Sequence, residues 1–194
     1  WEKRFGSQYC EGYGLTETSP VVSANLPAAP GDTLEKVARQ RRLGSVGRLF
    51  PGQAVRIVDT DTGADKGFND PGMLWLRGVN IFPGYLDDPE KTAEAFNTGW
   101  FVTGDLAKID EDGFLYIEGR LSRFSKIGGE MVPHGTVESA IIEALNLKGA
   151  ETPALAVSAR PVPAKGASVV LLTTVDVDAG DLRSKLSAAG LTNL

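Results

Sequence analysis

Four short apolar runs, each bounded by Gly, Pro or Asp, dominate the middle of the chain. They cover residues 54–58, 73–77, 100–102 and 114–117. The turns among them contain Pro51-Gly52, Asp61-Thr62-Gly63, Pro71-Gly72 and Asp112-Gly113. Short strands with such turn signals are typical of a small antiparallel barrel or sandwich. A helix interrupts the series, since Asp88 followed by Pro89 predicts a helix start that continues to Phe96.

The pattern changes after Gly119. Apolar residues recur at helical spacing over 133–145 and predict one buried face: Val137, Ala140, Ile141, Ala144 and Leu145. Runs at 154–157 and 168–175 predict strands. A second helix over 181–189, with Leu182, Leu186 and Ala189 buried, ends at Gly190, which suits a C-cap. The predicted fold class is α+β: a small antiparallel β-barrel-like subdomain, followed by a small α+β domain.

Composition excludes some partners. The 194 residues carry a net charge of −5, which argues against nucleic acid, because nucleic-acid-binding domains are usually strongly basic. The basic run at 39–42 is short and is interpreted as a solvated loop. One cysteine, Cys10, forms no internal disulfide and favours a reducing, cytoplasmic setting. No apolar run reaches the roughly 20 residues of a membrane span, and no basic amphipathic segment predicts direct membrane contact.

The segment 99–130 carries the most informative charges. Asp105 follows Thr-Gly in an expected turn, Arg120 follows Gly119 in another, and Lys126 precedes Gly128 and Gly129. An acid, a guanidinium and an ammonium on neighbouring turns could hold a polyhydroxyl, anionic ligand such as a nucleotide. The same charges could equally be solvated hairpin ends, and spacing by itself leaves both interpretations open.

Several segments, in order along the chain, resemble the adenylate-forming superfamily, which includes acyl-CoA synthetases, luciferases and peptide-synthetase adenylation domains. Residues 13–17 (YGLTE) are similar to its YGxTE motif, and residues 99–105 (GWFVTGD) to its GW(F/Y)xTGD motif. Residues 119–130, from Gly-Arg to Lys126 and Gly-Gly-Glu, resemble its GR…K..GE segment. Between them, 71–78 and 84–96 match a GEL…GY…T…F stretch.

The resemblance implies a two-step reaction in which a carboxylate and ATP give acyl-AMP and pyrophosphate, and a thiol then displaces AMP. Tyr13 and Gly14 would bind the nucleotide, with Tyr13 against the adenine ring. Thr16 would contact phosphate through its hydroxyl, and Glu17 would hold Mg²⁺, a cation that takes oxygen ligands. A turn cap and a surface acid are the plain alternatives for Thr16 and Glu17.

The later motifs would complete the site. Asp105 would accept both ribose hydroxyls, and the guanidinium of Arg120 would donate to ribose or phosphate. Lys126 would reach the site only for thioester formation, when the family's small domain has rotated. Gly128 and Gly129 would let the backbone approach a pantetheine arm closely. The resemblance thus implies that residues 1–118 are the end of a large adenylating domain, and that residues 119–194 are a truncated lid.

Finer features favour lipid metabolism. Residues 47–52 (GRLFPG), 79–81 (VNI), 123–126 (RFSK) and 129–132 (GEMV) are similar to bacterial acyl-[acyl-carrier-protein] synthetases. In that family the module is often part of a 2-acylglycerophosphoethanolamine acyltransferase at the cytoplasmic face of the inner membrane. The implied substrates are a long-chain fatty acid and, as thiol acceptor, acyl carrier protein or CoA.

Departures from the pattern limit these expectations. Ser122 stands where the family's hinge residue is usually Asp or Lys. His134, beside Pro133, is interpreted as a surface or capping residue without a catalytic role. The chain starts at Trp1, and neither the phosphate loop nor the adenylation lysine of the family has a match, so we expect a piece of a longer protein that does not adenylate alone.

Other functions stay open at this point. An amino-acid-activating adenylation domain would carry the same motifs, because the acid pocket largely precedes Trp1 in the family. A non-catalytic nucleotide-binding module would keep the β unit and lose turnover. A β-rich structural module would explain the strands and leave the aligned motifs as coincidence.

Overall fold

The computed structural model describes residues 1–147, 154–163 and 166–191. The chain divides into two units, which comprise residues 1–118 and residues 119–194. No described helix reaches the length and hydrophobicity that a bilayer would require of a spanning segment.

The first unit is mostly β-structure. Its helices are α1 (Glu2–Phe5), α2 (Leu34–Gln40) and α3 (Pro89–Ala95), and a 3-10 turn covers Thr16–Thr18. Its strands are β1 (Gly12–Tyr13), β2 (Ser23–Ala24), β3 (Arg48–Leu49), β4 (Gln53–Val58), β5 (Gly72–Gly78), β6 (Phe96–Asn97), β7 (Trp100–Ile109) and β8 (Leu115–Arg120), the last of which continues into the second unit.

The main sheet of the first unit is antiparallel and curls into a half-barrel. Its strand order is β4-β5-β7-β6, and β8 pairs with β7. The β7–β8 hairpin turns where the Asp-Gly signal predicts it, because Gly113 has a φ of +81° and donates its N–H to the carbonyl of Asp110 at 2.9 Å. The small strands β1, β2 and β3 form a second sheet.

A bulge interrupts the pairing of β5 with β7. Met73 pairs with Leu106 and Trp75 with Val102, so three residues of β7 oppose one of β5. Those three are Thr103, Gly104 and Asp105, and Gly104 takes a φ of +77°. The predicted turn at Thr-Gly-Asp is therefore wrong. The bulge lies inside a ten-residue strand, which continues beyond it. It changes the direction of the side chains at 103–105 without ending the strand.

Apolar residues from several strands form the core of the first unit. Val22, Ile57, Leu74, Leu76, Ala107 and Leu115 are buried together. The predicted strands at 54–58, 73–77, 100–102 and 114–117 all exist, but β7 is much longer than its predicted run. The predicted short helix is confirmed as α3, and the carboxylate of Asp88 caps it by accepting the N–H of Lys91 at 2.9 Å.

The second unit mixes two hairpins with two helices in its described part. A 3-10 turn covers Leu121–Arg123, strands β9 (Phe124–Ile127) and β10 (Glu130–Pro133) pair antiparallel, and so do β11 (Leu155–Val162) and β12 (Gly166–Thr173). Helices α4 (His134–Ala144) and α5 (Ala179–Ala188) pack with them around Val137, Ile141, Val157, Leu182 and Leu186. The predicted α+β fold class is confirmed.

Most of the predicted helix faces are buried. The 133–145 pattern gives the buried face of α4, and Leu182 and Leu186 of α5 are buried as expected. Ala189 is a correction, because α5 ends at Ala188 and Ala189 is exposed. Gly190 then takes a φ of +90°, which agrees with its predicted place at the helix end.

The basic run at 39–42 is not a solvated loop. Its first two residues end helix α2, and Arg42 joins the β7–β8 hairpin through two ion pairs. The guanidinium lies 2.5 Å from a carboxylate oxygen of Asp110, 2.8 Å from one of Asp112, and 4.5 Å from the centre of the Phe114 ring. Sequence spacing could not show this contact, because the partners lie about 70 positions away.

We expect Asp110→Ala to lower the free energy of unfolding by about 3 kcal/mol, because the buried N–H of Phe114 loses its acceptor and the Arg42 guanidinium loses one of its two carboxylate partners. Burial acts to raise the pKa of Asp110, but hydrogen bonds from Phe114, Arg42 and Tyr116 outweigh it and lower the pKa. The stabilisation is therefore present above the unfolded pKa of about 4 and is lost as pH falls through the folded pKa.

Urea unfolding of both proteins between pH 2 and pH 7 measures this effect. The control is Asp112→Ala, which removes an exposed carboxylate from the same arginine and should cost less than about 1 kcal/mol. Equal losses for the two variants would contradict the prediction.

Candidate functional site

The segment from Tyr13 to Thr18 is built by close backbone packing. A Cβ on Gly14 would lie 1.7 Å from the carbonyl oxygen of Pro20. A side chain at this position would therefore push the backbone at residue 14 away from the backbone at residue 20. Thr18 is fully buried, and its hydroxyl accepts the N–H of Leu15 at 2.8 Å. The turn therefore holds Thr18 inside and leaves Thr16 exposed.

Tyr13 joins the first motif to the second. Its hydroxyl donates to a carboxylate oxygen of Asp105 at 2.6 Å, although the two residues are 92 positions apart. The structure therefore brings together two residues that the motifs singled out. It also gives Tyr13 a hydrogen bond that the expected adenine contact did not include.

Asp105 lies at the end of the β7 bulge and is only 4% exposed. Its N–H donates to the hydroxyl of Thr103 at 3.0 Å, and that hydroxyl donates to the carbonyl of Leu74 at 2.9 Å. The bulge thus anchors the backbone on β5 and fixes the direction of the carboxylate. A carboxylate held in this way can accept from paired hydroxyl groups of a ligand.

Glu17 has a partner that the sequence analysis did not identify. The hydroxyl of Tyr85 donates to one of its carboxylate oxygens at 2.9 Å, and the N–H of Phe82 donates to its carbonyl oxygen at 2.9 Å. Gly84-Tyr85 was part of a matched motif, but nothing in its spacing showed that it would reach a residue 68 positions earlier.

Glu17 is also the residue to which the resemblance assigns a metal. The described residues contain no group of three His, Cys, Asp or Glu side chains that could cage a metal ion. Mg²⁺ seldom needs such a cage, because one or two carboxylates together with substrate phosphates and water suffice. The half-buried, hydrogen-bonded carboxylate of Glu17 has the hard oxygen chemistry that this mode requires.

The remaining candidates lie in the second unit. Arg120 ends β8 and is exposed. Lys126 is an exposed residue of β9, and Gly128 and Gly129 form the turn to β10 with φ values of +59° and +94°. These positive values explain two glycines in succession, and the hairpin places Lys126 beside an exposed glycine turn.

His134 is a correction. It is 4% exposed rather than a surface residue, and its Nε2 lies 2.6 Å from the hydroxyl of Ser125, which is also buried. Burial lowers the pKa of His134, and the charge of Arg123 lowers it further against the opposing effect of Glu138. A neutral imidazole therefore ties the start of α4 to β9, the strand that carries Lys126.

Comparison with known proteins shows which enzymes this chain resembles. Residues 1–86 match the family of AMP-binding enzymes. A 4-coumarate–CoA ligase-like protein of Arabidopsis thaliana is 41% identical over 68% of the chain. A long-chain-fatty-acid–CoA ligase of Yersinia pestis is 37% identical over 81% of it. Residues 1–86 are thus similar to AMP-binding enzymes, and the relatives of the chain include CoA ligases.

Solved structures support the same class. The ATP-bound MatB of Rhodopseudomonas palustris matches 97% of the chain with a TM-score of 0.70 and 32% identity. The chain spans only part of these proteins: 35% of MatB, 22% of the Arabidopsis relative and 26% of the Yersinia relative.

Proposed function

We propose that this chain is part of an ATP-dependent acid–thiol ligase. The enzyme would activate a long-chain fatty acid as acyl-AMP and transfer the acyl group to CoA or to acyl carrier protein. Residues 1–118 would belong to the large adenylating domain, and residues 119–194 to the small lid domain. We also propose a cytoplasmic location for this part of the protein.

One observation carries the proposal: two tyrosine–carboxylate hydrogen bonds join three separate motifs of the first unit. Tyr13 donates to Asp105, and Tyr85 donates to Glu17. Solvated hairpin ends would not need buried or half-buried carboxylates that are each oriented by a distant tyrosine. Such fixed acceptors suit a ligand that must be held in one pose.

In this proposal each residue of the first unit has one task. Asp105 accepts the two ribose hydroxyls, and the Tyr13 ring lies against adenine. Gly14 allows the backbone to pass close to Pro20 and so sets the position of the turn. The exposed hydroxyl of Thr16 donates to phosphate, where negative charge develops in the first step.

Glu17 would hold Mg²⁺ together with the phosphates of ATP. The ion would supply positive charge beside the phosphate that the acid attacks. The chain's own contribution is to hold the carboxylate in place and, through Thr16, to donate a hydrogen bond to the same phosphate.

The second unit would serve the thioester step. Arg120 donates to ribose or phosphate, and Lys126 approaches the site when the lid has turned. Gly128 and Gly129 leave the backbone of the β9–β10 turn open to a pantetheine arm. Pantetheine is common to CoA and acyl carrier protein, so the turn suits either acceptor.

The fatty-acid assignment rests on the lipid-type segments at 47–52 and 123–132 and on the Yersinia relative. Aryl-CoA ligases are also among the homologues, so the choice of acid needs a direct test.

That test is ATP–pyrophosphate exchange by the complete protein that carries these residues, with fatty acids of increasing length, aromatic acids and amino acids. We expect exchange with long-chain fatty acids. Asp105→Ala is the negative control, and Asp112→Ala is the matched positive control, because it removes a carboxylate on the solvent-exposed hairpin turn.

Each result of the panel has a clear meaning. Exchange with amino acids alone would replace the fatty-acid ligase with an amino-acid-activating domain. Exchange with aromatic acids alone would keep the ligase chemistry and change the substrate. No exchange with any acid, in protein that still binds ATP, would identify a non-catalytic nucleotide-binding module.

A further inference from the structure

The segment from Phe82 to Tyr85 binds both the backbone and the side chain of Glu17. The N–H of Phe82 donates to the Glu17 carbonyl at 2.9 Å, and the Tyr85 hydroxyl donates to the Glu17 carboxylate at the same distance. A glutamate side chain has several rotatable bonds, and fixing it in one rotamer is entropically costly. Here two neighbouring groups of a single segment fix both the backbone and the carboxylate.

Tyr85 is itself held rigidly. Its N–H donates to the hydroxyl of Thr92 at 2.9 Å, and that hydroxyl donates to the carbonyl of Asp88, the cap of α3. Gly84 has a φ of +151°, and a Cβ there would lie 2.6 Å from the Thr92 methyl, so glycine is required for this approach. The first turn of α3 therefore sets the position of the tyrosine.

The ring of Tyr85 has two further contacts. Its centre lies 4.8 Å from that of Phe82 in an edge-to-face arrangement, and the ammonium of Lys91 lies 4.4 Å from it. These contacts fix the direction in which the hydroxyl projects. The Tyr85 ring therefore holds its hydroxyl in position to donate to Glu17.

The Tyr85 hydroxyl donates one hydrogen bond to the Glu17 carboxylate. The hydrogen bond occupies one lone pair of one carboxylate oxygen. A carboxylate offers about four such positions, so Glu17 keeps the capacity to coordinate a cation.

We propose that Tyr85 is a positioning residue, whose hydroxyl holds the Glu17 carboxylate in the rotamer that binds Mg²⁺ and ATP together. This inference rests on the proposed function. Carboxylates that coordinate metals are commonly oriented by a second hydrogen-bonding group, and loss of that group typically weakens metal binding 10-fold or more.

Tyr85→Phe in the complete protein tests the inference. The probe is ATP, titrated calorimetrically at a series of Mg²⁺ concentrations, and exchange activity is measured in parallel. We expect the Mg²⁺ concentration for half-maximal ATP binding to rise about 10-fold, while ATP binding without Mg²⁺ stays the same.

Tyr116→Phe is a closely matched control. Tyr116 also donates to a carboxylate, that of Asp110 at 3.1 Å, and also has a lysine ammonium over its ring. We expect this variant to lose a similar amount of thermal stability and to keep the Mg²⁺ dependence of the wild type.

A further variant separates packing from hydrogen bonding. Tyr85→Leu should lose more thermal stability than Tyr85→Phe, because it also loses the ring contacts with Phe82 and Lys91. Both variants should require the same raised Mg²⁺ concentration for ATP binding. If Tyr85→Leu requires more Mg²⁺ and Tyr85→Phe behaves as the wild type, the ring rather than the hydroxyl is responsible and the inference is wrong.

The outcomes also separate this inference from the function on which it rests. Wild-type protein that shows no Mg²⁺-dependent ATP binding would overturn the proposed function and the inference together. Wild-type protein that binds, with Tyr85→Phe and Tyr116→Phe indistinguishable in their Mg²⁺ dependence, would overturn the inference alone.

Discussion

Asp105→Ala is expected to reduce kcat/KM for ATP in pyrophosphate exchange by about 10²–10³-fold. In the proposed site this carboxylate accepts two ribose hydroxyls, and hydrogen bonds to a charged acceptor contribute about 1.5–3 kcal/mol each. Losing about 3–4 kcal/mol corresponds to that change in rate. The measurement is steady-state exchange at a saturating concentration of the acid.

Asp105 is buried and accepts the Tyr13 hydroxyl, so loss of activity could also follow from loss of structure. Deoxynucleotides separate these causes. Wild-type protein should use 2′-deoxy-ATP and 3′-deoxy-ATP much less well than ATP, and Asp105→Ala should lose that discrimination. Tyr13→Phe, which removes the part-buried hydrogen bond but keeps the carboxylate, should retain that discrimination. A variant that still prefers ATP over both deoxynucleotides would show that Asp105 does not contact the ribose.

The second large effect is expected for Glu17→Gln, with exchange reduced about 10²–10³-fold at a fixed, low Mg²⁺ concentration. The substitution keeps the size of the side chain and an acceptor for Tyr85, and it removes the negative charge that a hard cation requires. ATP binding in the absence of Mg²⁺ should persist, because no positive group is lost.

Glu35→Gln is the control for this prediction. Glu35 is an exposed carboxylate on α2 that pairs with Arg39, so its neutralisation changes the net charge equally and leaves the site untouched. Exchange as a function of Mg²⁺ concentration gives the comparison. Glu17→Gln protein with the same Mg²⁺ dependence as Glu35→Gln would remove Glu17 from the proposed cation site.

The sequence predicted those parts of the fold that depend on local patterns. Three features could be predicted because each depends on residues a few positions apart: the Asp-Gly turn at 112–113, the Asp88 cap of α3 and the apolar face of α4. The Thr-Gly-Asp turn was wrong for a related reason. A glycine with positive φ serves a turn and a bulge equally well, and only the pairing of β7 with β5 shows which of them forms.

The tertiary partners of polar residues were the least predictable feature. Arg42 and His134 were both interpreted as solvated or surface residues, since arginine is rarely buried and a lone histidine beside a proline suits a helix start; Arg42 is in fact half-buried and His134 is buried. Their contacts with Asp110 and Ser125 depend on how separate strands pack. A buried polar group needs a hydrogen-bond partner. When that partner lies far away in the sequence, no periodic pattern of residues indicates it.

The amino-acid sequence by itself determined which side chains are available for chemistry: Tyr13, Thr16, Glu17 and Asp105 in the first unit, and Arg120 and Lys126 in the second. It also determined the strand and helix periodicities that make the fold α+β. Tertiary structure decided which of those side chains meet, and it brought Tyr85 to Glu17 as a further partner. The bonds from Tyr13 to Asp105 and from Tyr85 to Glu17 close loops of 92 and 68 residues, and such contacts form only when the packing of the whole unit offsets the entropy of closing them.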